Sequence, residues 1–155
     1  MWQAHGTMKI LIALDESPVS ARAAREAARL FAGADAEFLV ISVTHMPVIW
    51  AGGAGYGVVA PMMMDPAWFE PSEDAEEDLI ARAEAAGVPD AEPHTASGDP
   101  VSLICRAAEE HDADVIVVGS HDKSALRRLF DPSVAVGIIR ETYRPVLVIS
   151  GAPPS

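Results

Sequence analysis

The chain is short of several things. It has one cysteine, Cys105, in 155 residues. No intrachain disulfide is possible, and the simple expectation is a cytoplasmic protein. It has no apolar run near the ~18 residues needed to cross a bilayer. No basic segment leads into an apolar one at the N-terminus, so no leader is expected. Met1 to Thr7 read as an extension before a first strand at Met8-Lys9. Bases are scarce, with 11 Lys and Arg against 23 Asp and Glu. Nucleic acid is therefore an unfavourable partner, because binding it needs clustered positive charge. His5, His45, His94, His111 and His121 have no paired spacing on one helix face, and no Cys–His set exists, so no metal site is expected. No nucleophile, base and orienting group can be assembled either. Ser17, Ser97, Ser120 and Ser133 are better explained as caps or turn residues.

What is present is half hydrophobic and of a length for one domain, residues 1–155, with one core. The net charge of −12 is concentrated between Asp65 and Glu92, where ten acids face one base, Arg82. That block is either a docking surface for a basic partner or, more simply, a solvated helix face.

Short β-branched runs alternate with helical patterns. Lys9–Leu14 reads as a central strand. Ser17 as N-cap with Pro18 at the first turn starts a helix to about Ala32, with an apolar stripe of Ala24, Ala27, Ala28 and Phe31 and a stop at Gly33. Glu37–Val43 is a second strand. Met46–Phe69 then loses all period, with four glycines, three prolines, two tryptophans and four methionines. Such a loop is a lid, an apolar contact surface for a protein partner, or a loop folded on its own core. A helix is expected from Glu73 to Ala86, closed by Gly87, and a third strand over Ala91–Ala96. Ser97-Gly98-Asp99-Pro100 reads as a turn that caps the next helix, whose buried stripe is Val101, Ile104, Cys105 and Ala108. Val115–Val118 is too short for a helix and apolar throughout, as a strand buried on both faces requires. A helix over Ser133–Tyr143, with Val134 and Ile138 one turn apart, and a strand Pro145–Ile149 complete the pattern. Strands alternating with helices imply an α/β fold, a parallel sheet with helices on both faces.

Four segments in this order resemble the universal stress protein family: KILIALDESPVSARAAREAARL, SGDP, ADVIVVGSHDKSALRRLFDPSV and RPVLVIS. With the strand–helix order they cover nearly the whole chain from Met8 to Ser150; Met46–Phe69 is left unexplained. The resemblance implies an open five-stranded parallel sheet in the order 3-2-1-4-5, of the adenine-nucleotide alpha-hydrolase-like type. Its crevice lies where the first and fourth strands diverge. In ATP-binding members the aspartate after the first strand, here Asp15, contacts the nucleoside. A residue at the end of the second strand, here Val43, contacts adenine. The loop after the fourth strand carries Gly-x2-Gly-x9-Gly-(Ser/Thr) and wraps the phosphates. Gly119 and Ser133 match that pattern, and Val134 follows at the helix start.

The other two glycines are replaced, by Asp122 and Pro132. A carboxylate beside polyphosphate is repelled, and proline removes a backbone N–H that would point at the anion. Asp131 can instead cap the helix itself. His121, Lys123, Arg127 and Arg128 are nearby cations that could offset Asp122. The reading is a non-enzymatic stress-response or signalling module with a degenerate phosphate loop. Its ligands would be ATP, AMP or adenosine, held weakly. An ATP-hydrolysing member of the same fold and an interaction protein acting through 46–69 are the alternatives. The resemblance also implies a homodimer, pairing through Val146–Ile149, and a fully apolar edge strand is a liability unless covered.

Overall fold

The β-branched runs of the central strands are too short to bury themselves and too apolar to face water, so they pair. The computed structural model describes residues 6–45, 73–120 and 134–151. Strands β1 (Met8–Ala13), β2 (Ala36–His45), β3 (Glu92–Gly98), β4 (Val115–Ser120) and β5 (Val146–Ser150) form one sheet in the order β3-β2-β1-β4-β5. All four pairings are parallel. Between them run α1 (Pro18–Leu30), α2 (Glu73–Ala85), α3 (Pro100–Glu110) and α4 (Val134–Glu141).

Alternate strand residues feed two cores, one on each face. Ile10, Ile12, Leu14, Val40 and Val117 pack with Ala23, Ala24 and Ala27 of α1 and with Leu79 and Ala83 of α2. Leu11, Leu39, Ile41, Ile116 and Val118 pack with Ile104, Ala107 and Ala108 of α3 and with Ala135 and Ile138 of α4. Each fully buried Ile, Leu or Val of the sheet contributes about 2 kcal/mol. The middle of the expected fourth strand, Ile116–Val118, is buried on both faces. No helix among the described residues is long and apolar enough to cross a membrane.

The elements match the sequence expectation, with shifts at their edges. Helix α1 ends at Leu30, capped by Phe31, before Gly33. Its buried stripe is Val19, Ser20, Ala23, Ala24 and Ala27, with Ala28 and Phe31 only partly buried at its margin. Strand β3 continues through Ser97-Gly98, because both residues pair with the long end of β2. In α3 the fully buried positions are Ile104, Ala107 and Ala108, while Val101 and Cys105 flank them. Val134, expected on the apolar stripe of α4, is exposed; Ala135 and Ile138 face the core instead.

Strands β1 and β4 are far apart in sequence and are locked by a reciprocal pair. The Lys9 N–H donates to Asp114 Oδ2 at 2.8 Å, and the Asp114 N–H donates to the Lys9 carbonyl at 2.7 Å. At the same end of the sheet Arg144 donates to Glu109 (3.0 Å) and to the Ala113 carbonyl, tying the entry of β5 to the end of α3. The guanidinium holds the Glu109 carboxyl below its usual range.

Candidate functional site

The switch point lies between β1 and β4. Ile12 is aligned with Val117, so the chain leaves β1 at Leu14-Asp15 and β4 at Gly119-Ser120 on the same edge of the sheet. From β1 the chain turns into α1, and from β4 it runs on toward α4. Helix α1 packs on one face of the sheet and α4 on the other, so the strand order reverses there, the switch point at which open α/β sheets form a ligand crevice.

Asp15 stands exposed at its mouth, and its carboxylate is oriented by the start of α1. Asp15 Oδ1 accepts from the Ser17 N–H (2.8 Å) and from the Ser20 hydroxyl (2.8 Å). The Asp15 N–H donates back to Ser20 Oγ at 3.1 Å. Ser17 caps the helix by accepting from the Ser20 N–H. Ser20 is the one polar residue counted as buried among the described residues, at 5 % exposure. A buried hydroxyl needs partners, and here it uses them to fix a carboxylate at the rim.

Gly119 is required by packing. A Cβ there would lie 2.8 Å from the Val19 carbonyl oxygen and 2.9 Å from its carbon. The first turn of α1 thus rests directly on the end of β4, and both contacts are with backbone. Val43, near the end of β2, is half-buried against the α3–α4 core. Its register partner is Ala96 of β3. Val134 is the first residue of α4 and is exposed. The structure therefore brings Asp15 and Gly119 to one edge through the α1 start. Val43 stands two strand positions beyond Ile41, which pairs with Ala13 at the end of β1. His121, Asp122, Lys123, Arg127, Pro132 and Ser133, and the Met46–Phe69 loop, lie outside the described residues.

Two features were not anticipated. Ser20 was read only as a helix residue, although its spacing of three from the Ser17 cap and five from Asp15 marks it as a candidate partner. Glu92, His94 and His111 also converge. One donor atom from each lies within 4.8 Å of the others, and the two imidazole centroids are 4.3 Å apart. Burial, followed by the neighbouring His111, lowers the His94 pKa below its usual value; Glu92, Glu76 and Glu110 oppose the shift. The helix-face test applied to the histidines missed this cluster because it joins a strand to a helix end. The Glu-x-His spacing within a strand was the available signal. Cys105 is half-buried, and burial raises its thiol pKa, as fits a structural rather than reactive cysteine.

Comparison with known proteins agrees with this architecture. The model of the universal stress protein family matches residues 6–150. A universal stress protein of Methanocaldococcus jannaschii is 32% identical over 144 residues, covering 91% of this chain and 81% of the relative. A universal stress protein solved in complex with cAMP shares 23% identity and a TM-score of 0.60, covering 92% of this chain and 96% of its own. One from Archaeoglobus fulgidus, solved in complex with dAMP, shares 21% identity and a TM-score of 0.54, with 92% and 97% covered. At these identities the two solved structures share the fold, which is of the adenine-nucleotide alpha-hydrolase-like type. The sheet order, with its switch point between β1 and β4, and a family match over almost the whole length agree, and the chain belongs to the universal stress protein family.

Proposed function

We propose that this protein is a cytoplasmic, homodimeric stress-response or signalling module that receives the adenosine part of an adenine nucleotide in the β1–β4 crevice. The observation that carries this reading is the Asp15 carboxylate, held at the switch point by the Ser17 N–H and the Ser20 hydroxyl. An acceptor fixed in advance loses little freedom when a ribose hydroxyl donates to it. Val43 offers an apolar wall for the base. Relatives of the same fold solved with cAMP and with dAMP support an adenine nucleotide as the ligand class.

The phosphate end is the weak half of the site. In the family pattern Asp122 and Pro132 occupy two glycine positions of the phosphate loop, where a carboxylate would repel polyphosphate and a proline supplies no N–H. Lys123 and Arg127, with His121 when protonated, would offset this in part, and Ser133 and Val134 would remain as contacts at the helix start. The ligand is then AMP or adenosine in preference to ATP, and the role is sensing rather than turnover. Strand β5 serves as the dimer edge: Val146–Ile149 pairs on one side with β4, and Val148 is exposed.

Calorimetric titration with ATP-Mg, AMP and adenosine at physiological ionic strength tests the reading. AMP and adenosine should bind, and Asp15→Asn should weaken both by about tenfold, the equivalent of one hydrogen bond to a charged group. ATP-Mg binding ten times tighter than AMP would overturn the degenerate phosphate loop. No binding of any of the three would overturn the crevice and move attention to the Met46–Phe69 surface.

A further inference from the structure

A second cluster lies at the opposite edge of the sheet from β5. Strand β3 is an edge strand, paired only with β2 among the described strands. Glu92 and His94 stand two residues apart on it, so their side chains share one face. His111 caps the C-terminus of α3, the helix that follows β3, and its backbone N–H donates to the Ala107 carbonyl. The end of α3 thereby brings a second imidazole over the strand.

We propose that Glu92, His94 and His111 form a binding site for a divalent transition-metal ion, with zinc the best match. The geometry supplies the reason. Ligand atoms bonded at 2.0–2.1 Å around a tetrahedral ion stand about 3.3 Å apart. His94 Nε2 lies 3.3 Å from Glu92 Oε1. That contact is not aligned as a hydrogen bond, and His94 Nε2 is buried without a hydrogen-bond partner among the described residues. A buried ring nitrogen in this position is costly unless something accepts its lone pair or its proton. A metal ion accepts the lone pair. The third donor comes from His111, whose ligating atom lies within 4.8 Å of the other two. An imidazole at a helix end closes that gap by side-chain rotation.

The donor set is also chemically coherent. Two imidazoles and one carboxylate suit zinc and its neighbours in the first transition row rather than calcium or magnesium, which take oxygen ligands. Glu76 from α2 and Glu110 from α3 add negative potential at His94 from two further positions. A dication is favoured by that field, whereas two imidazolium rings 4.3 Å apart would repel each other. Three protein donors leave a fourth position for water. The bound ion would fasten the edge strand to the end of α3, on the other side of the sheet from the proposed dimer edge and away from the nucleotide crevice.

Titration of the full-length, chelator-stripped protein with Zn2+ tests this. One equivalent should bind with a Kd on the order of 10 μM or tighter. Zinc at about a hundred times that Kd should raise the melting temperature by about 5 °C or more. Co2+ should give the intense visible bands of a four-coordinate site. His94→Ala and His111→Asn should each weaken binding by about tenfold or more, and Glu92→Gln by less. His111→Asn is the safer variant for folding, since the position is a half-buried helix C-cap, where asparagine is well tolerated. Variants at His5, His45 and His121 should bind as the parent does. The proposal is overturned if zinc binds no tighter than about 1 mM, or if one-equivalent binding survives in His111→Asn and in His94→Ala.

Discussion

Helices α1 and α3 begin with nearly the same four residues, Ser17-Pro18-Val19-Ser20 and Asp99-Pro100-Val101-Ser102. In both, the first residue caps by accepting from the N–H of the fourth, at 3.3 Å from Ser17 and 2.9 Å from Asp99. In both, the valine meets a glycine of a neighbouring element. The resemblance ends in how they meet. A Cβ on Gly119 would run into the backbone of Val19, whereas a Cβ on Gly137 would run into the Val101 side chain, 2.6 Å from Cγ2. The fourth residue differs as well. Ser20 is buried and bonded to Asp15, while Ser102 is exposed. One motif thus makes a plain helix start at α3 and the rim of a crevice at α1. Neither the cap nor the glycine marks a ligand site by itself; the carboxylate five residues before Ser20 makes the difference.

The comparison is broken most forcefully at the glycines. Gly119→Ala should destabilise the fold by about 3 kcal/mol, because backbone cannot rotate out of the way. Gly137→Ala should cost less than about 1 kcal/mol, since Val101 can change rotamer and alanine is the better helix former. Urea denaturation of two double-mutant cycles sharpens this. Val101→Ala should relieve Gly137→Ala, while Val19→Ala should leave Gly119→Ala unrelieved. Relief at both sites would show that the two contacts are alike after all.

The fourth residues come next. Ser20→Ala should cost about 1–2 kcal/mol, the loss of a buried hydroxyl shared between cap and carboxylate. Ser102→Ala should change stability by less than about 0.5 kcal/mol. Ser20→Ala should also weaken AMP binding, because Asp15 loses one of the groups that orient it. Equal stability losses for the two serines would remove the distinction drawn between the helix starts.

The smallest effect is read at the far ends of the same helices, where α1 closes on Phe31 and α3 on His111 beside His94. Burial lowers the His94 pKa in the folded chain from an ordinary value of 6.5. As pH falls through 6.5 the unfolded chain takes up the proton first, so this contribution to stability is present above that pH and is lost below it. Replacing His94 by Gln should flatten the decline in stability between about pH 7 and pH 5 in metal-free protein. His111, Glu92, Glu76 and Glu110 all face this ring, so the slope is set by the cluster as a whole.

The fold was legible because its signals are local. Pro after a cap residue marked both helix starts, and β-branched runs marked the central strands. The edges of β3 and α1 were misjudged for tertiary reasons. Ser97 and Gly98 extend β3 only because β2 is long enough to pair with them. The burial of Ser20 in place of an apolar residue follows from Asp15, and an apolar-stripe count cannot see that. At the candidate site Asp15, Val43 and Gly119 came from resemblance. The roles of Ser20 and of the Glu92–His94–His111 cluster emerge only in the folded chain. Glu92 and His94 are one strand period apart, but His111 lies on another element and no helix or strand period reaches across to it.

The reciprocal bond between Lys9 and Asp114 also bears on how the crevice comes into being. It joins residues 105 apart in sequence, whereas β1 meets β2 across only 28. Closing the longer loop costs about 1 kcal/mol more in chain entropy. The β1–β2 ribbon can therefore assemble while β4 is still unattached, but Asp15 faces Gly119 only after the distant seam has closed. A chain released before its last third was made would carry most of one core and no crevice. The nucleotide capture proposed for this chain would then report that synthesis and folding are complete.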